Sequence, residues 1–207
     1  RPLTHINFAA DFQPPLYYAL AHYWMQLGEL LGTQAEWFLR LPSVTFGMAA
    51  LYVIYIFGKR LKDERFGLLV SLMLATSPMH VYFSHEFRMY SLLVLTALLS
   101  WYFVYQQQWK LYALIATIGI FTHYFVTLNI VALLIYVTIF KRNAVYTYTT
   151  HTIAGLTPFV FWMPVFVQQL ETARQLVETW PGWQAVSNPG FVRFPGLVMA
   201  KFGLRMI

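Results

Sequence analysis

From Leu41 to Val167 the chain is a succession of long apolar runs separated by brief polar punctuation. The runs predict about six membrane spans of about 17 to 23 residues, the length a bilayer core demands of a helix. Their approximate limits are Leu41 to Gly58, Phe66 to Phe83, Phe87 to Tyr105, Leu111 to Thr122, Phe125 to Phe140 and Tyr146 to Val167. The Leu111 run is short, and Pro78, near the end of the Phe66 run, removes a backbone donor and so bends or ends that helix. Ahead of the spans, Pro15 to Leu31 alternates aromatics with His, Gln and Glu at helical spacing. Too polar at its end to span, this stretch reads as a helix lying in the interface, opened by Pro14 and Pro15. Beyond Val167, Leu170 to Val177 patterns as an amphipathic surface helix, and Pro181-Gly182 with Asn188-Pro189-Gly190 marks an irregular loop. The expected fold is a single all-α domain over residues 1–207, a polytopic transmembrane helical bundle. It holds an external loop with the interfacial helix in 1–40, the spans in 41–167, an external loop in 168–196, and the start of a further span in 197–207.

Composition agrees with a lipid solvent. With 58% hydrophobic and only 11% charged residues, and a mean hydropathy of +0.53, the chain has too few charged side chains to clothe a soluble surface. The net charge of +6 sits in scattered residues between apolar runs, which speaks for membrane topology and against a nucleic-acid partner. The absence of cysteine excludes disulfides and thiolate metal sites. Basic turns at Lys59 to Arg65, at Lys110 and at Lys141-Arg142 fall at alternate ends of successive spans, and the positive-inside rule makes those turns cytoplasmic. Arg1 to Arg40, Ser84 to Arg88, Thr122 to Tyr124 and Gln168 to Gly196 then face outside. There is no initiator Met, and the chain opens mid-loop at Arg1, so it reads as a fragment that lacks an upstream transmembrane helix.

Candidate chemistry gathers in two strings that this count puts on the same face. They are Asp11-Phe12-Gln13-Pro14-Pro15-Leu16-Tyr17-Tyr18 and Tyr82-Phe83-Ser84-His85-Glu86-Phe87-Arg88-Met89-Tyr90. Carboxylates and guanidinium groups at a bilayer edge are costly unless they pair or line a watery cavity, which points to a site. Blander readings stand beside that one. Asp11 caps a helix, Glu86 and Arg88 form a structural pair, His123 is a satisfied interfacial histidine, and His22 and His80 serve packing. Trp180 and Trp183 read as an aromatic belt or as a platform for stacking sugars.

Further polar landmarks lie between and beside the two strings: Leu39-Arg40-Leu41-Pro42-Ser43-Val44 with Phe46-Gly47, then Ser77-Pro78-Met79-His80. The ordered set resembles the GT-C membrane glycosyltransferases of the protein O-mannosyltransferase and aminoarabinose transferase type, in particular their bacterial branch. Their pattern runs Asp-x-His-Pro-Pro-Leu-Tyr-Tyr, Arg-Leu-Pro-Ser and Tyr-Ser-Gln-Glu-x-Arg-Met-Tyr. The resemblance is dense from Asp11 to about Leu99 and general in character to about Trp183. It implies transfer of a sugar from a polyprenyl-phosphate donor to an acceptor on the non-cytoplasmic face, in a protein of the bacterial inner membrane.

The catalytic candidates are Asp11 and Glu86, and the donor-phosphate or substrate contacts are Arg88, Gln13, His85 and Tyr90. An anionic lipid phosphate favours a cation at its departure, and the acceptor needs a carboxylate base. The resemblance also implies a principal acidic residue in an external loop upstream of Arg1. Two positions depart from the pattern: Gln13 stands where the family commonly has His, and can hydrogen-bond but not titrate, while His85 stands where it commonly has Gln. Some relatives use a divalent cation near the positions of Asp11 and Glu86, which carboxylate oxygens would hold. No His-x-x-x-His or Asp-x-Asp string demands one, and the metal stays unassigned. The partners implied are the donor lipid and membrane lipids. A non-catalytic scaffold subunit within a larger membrane complex is the alternative. A transporter or flippase is a third reading, disfavoured by charges gathered at one face instead of the midplane.

Overall fold

A computed structural model describes the backbone of residues 13–179 and the side chains of 13–175. The expectations for Asp11, Trp180, Trp183 and residues 197–207 lie outside the described residues. The described residues fall into two compact units, 13–162 and 163–179. In the first unit lie α1 (Leu16–Leu30), α2 (Glu36–Leu61), α3 (Glu64–Ala75), α4 (Pro78–His85), α5 (Tyr90–Tyr105), α6 (Trp109–Thr122), α7 (Val126–Phe140) and α8 (Val145–Leu156). Short 3-10 turns occupy Arg142–Ala144 and Thr157–Trp162. The described part of the second unit is α9 (Met163–Thr179). No strand occurs among the described residues, so the protein is the all-α membrane protein its apolar runs imply.

Among the described residues two helical stretches have the length and hydropathy to cross a membrane, Glu36–Leu61 and Arg142–Gln175. The pair Glu64–Ala75 and Pro78–His85, bent by 64°, adds a third if it is one broken span. The bend falls where Pro78 removes a backbone donor, as expected, and α5, α6 and α7 are shorter apolar helices. Against the about six spans expected, two or three stretches among the described residues have spanning length, and the runs of α5, α6 and α7 give helices of 16, 14 and 15 residues. Two further runs differ in their bounds or geometry. The first span begins at Glu36, ahead of Leu41, and the run from Tyr146 to Val167 is not one regular α-helix. It changes to 3-10 geometry at Thr157–Trp162, around Pro158, whose nitrogen cannot donate.

The early start of α2 puts Pro42 inside a helix, where it leaves the carbonyl of Phe38, four residues back, without its usual partner. The indole N–H of Trp24 on α1 donates to that carbonyl at 2.8 Å, and the Trp24 ring stacks on Phe38 with centroids 4.7 Å apart. One side chain thus repairs the ladder of α2 and docks α1 on it. The chain turns between the two helices by a Schellman arrangement: Thr33 N–H donates to Gly28 O, Gly32 N–H donates to Glu29 O, and Gly32 takes the left-handed conformation at φ +70°.

The centre of the unit is α2, which packs against α1, α3, α4 and α5. Its crossing with α3 is close because both partners lack a side chain: a Cβ on Gly67 would lie 2.6 Å from Tyr55 O, and one on Gly58 would lie 2.9 Å from the Cα of Gly67. Asp63 starts α3 by accepting from Phe66 N–H at 2.8 Å. On the other side, Val104, Tyr112, Ala116, Leu133, Val137 and Tyr148 build a core between α5, α6, α7 and α8. Tyr112 and Tyr148 stack at 5.2 Å and hide their hydroxyls in bonds to Thr152 Oγ1 at 2.9 Å and Ile130 O at 2.7 Å. Helices in lipid gain little from apolar contact with one another, so such polar pairs and close approaches hold the bundle together.

Candidate functional site

Three of the polar strings meet at one point. Tyr17 on α1 is 3% exposed, and its hydroxyl lies 2.8 Å from Ser43 Oγ on α2. Ser43, fully buried, also reaches the backbone carbonyl of Arg88 at 3.3 Å. A relay of hydroxyls therefore ties Pro-Pro-Leu-Tyr, Arg-Leu-Pro-Ser and the segment before α5 into one polar knot. Beneath it, Tyr17, Ala21, Met89 and Leu92 form an apolar cluster with Phe46 and Phe87 against it.

The fourth string closes from the side. A Cβ on Gly47 would collide with the side chain of Ser84, so glycine is what lets α2 and α4 approach there. Ser84 Oγ donates to His80 O at 2.7 Å, and Ser91 Oγ on α5 donates to Phe83 O on α4 at 2.8 Å. The first bond is internal to α4; the second clamps the ends of α4 and α5 around a break of four residues, 86–89. At the break Glu86 turns extended, with φ −90° and ψ 136°, and Arg88 N–H donates to Glu86 O at 2.8 Å.

The consequence for Arg88 is a root fixed in the bundle and a guanidinium left in the open, its side chain 64% exposed. Its Nε stands 3.9 Å from Glu86 Oε2, and the Glu86 side chain is 35% exposed. An ion pair that long and that wet is worth about 0 to 1 kcal/mol. It is too weak to account for the break and leaves both groups free to engage a ligand. His85 is exposed, its Nδ1–H donating to Val81 O on its own helix at 2.8 Å.

Tyr90, the first residue of α5, lies with its ring 4.4 Å from that of Phe83 and 5.9 Å from that of His123. His123 is buried in the turn between α6 and α7, at 5% exposure. Its Nδ1 accepts from Phe125 N–H at 3.0 Å, so the neutral ring carries its proton on Nε2. Burial pushes its pKa below the ordinary value. No group of three or more His, Asp or Glu stands together among the described residues. Glu86 is the one acidic candidate with described geometry, and a single carboxylate beside a guanidinium is a poor cation cradle.

The family model for dolichyl-phosphate-mannose-protein mannosyltransferases matches residues 13–167, three quarters of the chain. The chain belongs to that mannosyltransferase family. No curated protein and no solved structure matches it. Membership makes it a membrane glycosyltransferase of the GT-C type.

The matched stretch of this mannosyltransferase family begins at Gln13 and contains the whole knot. Of the residues singled out in the sequence, Glu86 and Arg88 come together, His85 is engaged by its own helix, and Tyr90 packs with aromatics. Gln13 lies half-buried ahead of α1, and Asp11 is outside the described residues. Sequence reading gave no role to Tyr17 or Ser43, although both stood in quoted strings. The expectation of a satisfied histidine at His123 agrees with its bond from Phe125 N–H, and the structure adds that the ring is buried beside Tyr90. The available signal was that His123 interrupts an apolar run on the face assigned to the motifs.

Proposed function

We propose that this protein transfers a sugar from a polyprenyl-phosphate-linked donor to an acceptor on the non-cytoplasmic face of the plasma membrane, with Arg88 meeting the donor phosphate. The observation that carries the reading is the exposed guanidinium rooted in the polar knot, beside a half-exposed carboxylate. The acceptor hydroxyl attacks the anomeric carbon, the bond from that carbon to the phosphate oxygen breaks, and the polyprenyl phosphate leaves as an anion. A planar guanidinium binds such a phosphate bidentately and stabilises the charge as it grows. The proton passes to a carboxylate, for which Glu86 and Asp11 are the candidates in this chain. Gln13, His85 and Tyr90 are the further substrate contacts of this reading. The basic turns support an outward-facing site, because they fall at the other end of α5 from Arg88.

Sugar transfer by the full-length protein in liposomes tests it, with thermal stability followed alongside. Arg88→Ala is expected to slow transfer by about 100-fold, the scale of losing one charge-stabilising donor. Arg88→Lys keeps the charge without the fork and falls between. Because the guanidinium makes only a long, exposed ion pair, neither variant should lose stability appreciably. A folded Arg88→Ala protein with undiminished turnover would falsify the phosphate role and favour the scaffold alternative.

A further inference from the structure

At the opposite end of α5 the bundle holds a cavity that the transfer site does not use. It measures about 410 Å³ and is lined by Gln107, Trp109, Phe140, Lys141, Arg142, Asn143, Ala144 and Thr147. It lies where α6 begins, α7 ends and α8 begins. Lys141 Nζ donates to Tyr105 O at 2.7 Å, which fixes the position relative to α5. From Tyr90 to Tyr105 that helix has 16 residues, about 24 Å at 1.5 Å per residue. The cavity and the Arg88 break are therefore on different sides of the bundle.

Three features describe its occupant. First, the lining carries two cations, two carboxamides and a hydroxyl, and no carboxylate. The Lys141 ammonium sits over the Tyr105 ring at 4.9 Å, and burial pushes its pKa below the ordinary lysine value, so a nearby anion would relieve it. Secondly, the guanidinium of Arg142 makes no ion pair or hydrogen bond with any described residue. Thirdly, an exposed apolar strip runs along α7, whose last residue, Phe140, is in the lining. Leu128, Val131, Ile135 and Ile139 follow each other along α7 at helical spacing, and each is more than half exposed, as is Phe140 in the lining itself. An aqueous anion has no use for such a strip, whereas acyl chains would lie along it. Trp109 in the lining is the residue type that sits at headgroup level.

We propose that this cavity binds the phosphodiester headgroup of an anionic phospholipid, with Arg142, Lys141 and Asn143 around the phosphate and the acyl chains along α7. Basic pockets between transmembrane helices take anionic headgroups. The size lies in the range of specific ligand sites.

The experiment uses the purified protein in nanodiscs of phosphatidylcholine, with and without phosphatidylglycerol. Phosphatidylglycerol is expected to raise Tm by several degrees and to stay bound through detergent washing. The double variant Arg142→Gln, Asn143→Asp should lose most of that shift, and Lys62→Gln, a cation in a different basic turn, should keep it. A shift that survives the double variant overturns the site. So does a shift lost equally in Lys62→Gln, which would mean diffuse surface charge. Inorganic phosphate that matches the lipid effect in phosphatidylcholine discs would overturn the lipid as ligand. If the double variant is unstable in phosphatidylcholine alone, retention of phosphatidylglycerol by Arg142→Gln decides, and undiminished retention overturns the assignment.

Discussion

At the scale of single residues, Trp24 and His123 do work that their neighbours make necessary. Pro42 deprives Phe38 O of a helical partner, and Trp24 supplies one at 2.8 Å. Trp24→Phe keeps an aromatic face for Phe38 but orphans the carbonyl, so the expected loss is about 1 kcal/mol. Thermal unfolding in detergent measures it. If Trp24→Phe is as stable as the parent, water satisfies the carbonyl instead. His123 bears on pH. Its folded pKa is depressed by burial, so above the ordinary value of about 6.5 the ring is neutral in both states. As pH falls below that value, the unfolded chain takes up a proton that the folded one resists, and stability declines. Protonation at Nδ1 would also break the bond from Phe125 N–H. Asn at this position keeps an acceptor without a titrating group, so Tm between pH 7.5 and 5.5 should fall less steeply in His123→Asn. Parallel slopes for the two proteins would assign the pH response to other groups.

Among the elements, the crossing of α2 and α3 sets two known effects against each other. Gly67→Ala should favour α3 by about 1 kcal/mol through helix propensity. The new methyl would lie 2.6 Å from Tyr55 O and 2.9 Å from Lys59 N, backbone atoms that cannot rotate away, and overpacking costs about 1 to 3 kcal/mol. The clash is expected to win, with a lower Tm, and a rise in Tm would show that the helices slide apart freely. Much of this architecture was legible beforehand. The helices α3 to α7 fall on the apolar runs, because hydropathy and length decide what lipid will accept, and the bend at Pro78 followed from its missing donor. What the sequence hid was conditional on tertiary contact. Pro42 argues for a helix start near Leu41, and only Trp24, distant in the chain, makes an earlier start tolerable. Likewise Glu86 and Arg88 were visible as rare charges in an apolar chain. The role of Ser43, though it stood in a landmark string, was not, since its partners lie 26 and 45 residues away and no local pattern encodes such a meeting.

For the whole molecule, sidedness is the property to measure. The parent chain contains no cysteine, so single-cysteine variants at exposed positions report without further changes. Lys62→Cys and Arg142→Cys are expected to react with an impermeant thiol reagent only from the cytoplasmic side, and His85→Cys only from the outside. Reaction of Lys62→Cys and His85→Cys from one common side would reverse the proposed orientation and move the site with it. The hydroxyl relay of Tyr17, Ser43 and Arg88 also has a consequence in time. Synthesis proceeds from the N-terminus, so α1 and α2 emerge before α5, and of its two partners Ser43 has only Tyr17 to hold until residue 88 arrives. Once α5 is in place every member of the relay exists, while the partners of the Tyr112 core are still to be made. A nascent chain halted after Tyr105 should already possess this polar knot, and α6 to α8 would then close around an arrangement that had been set before them.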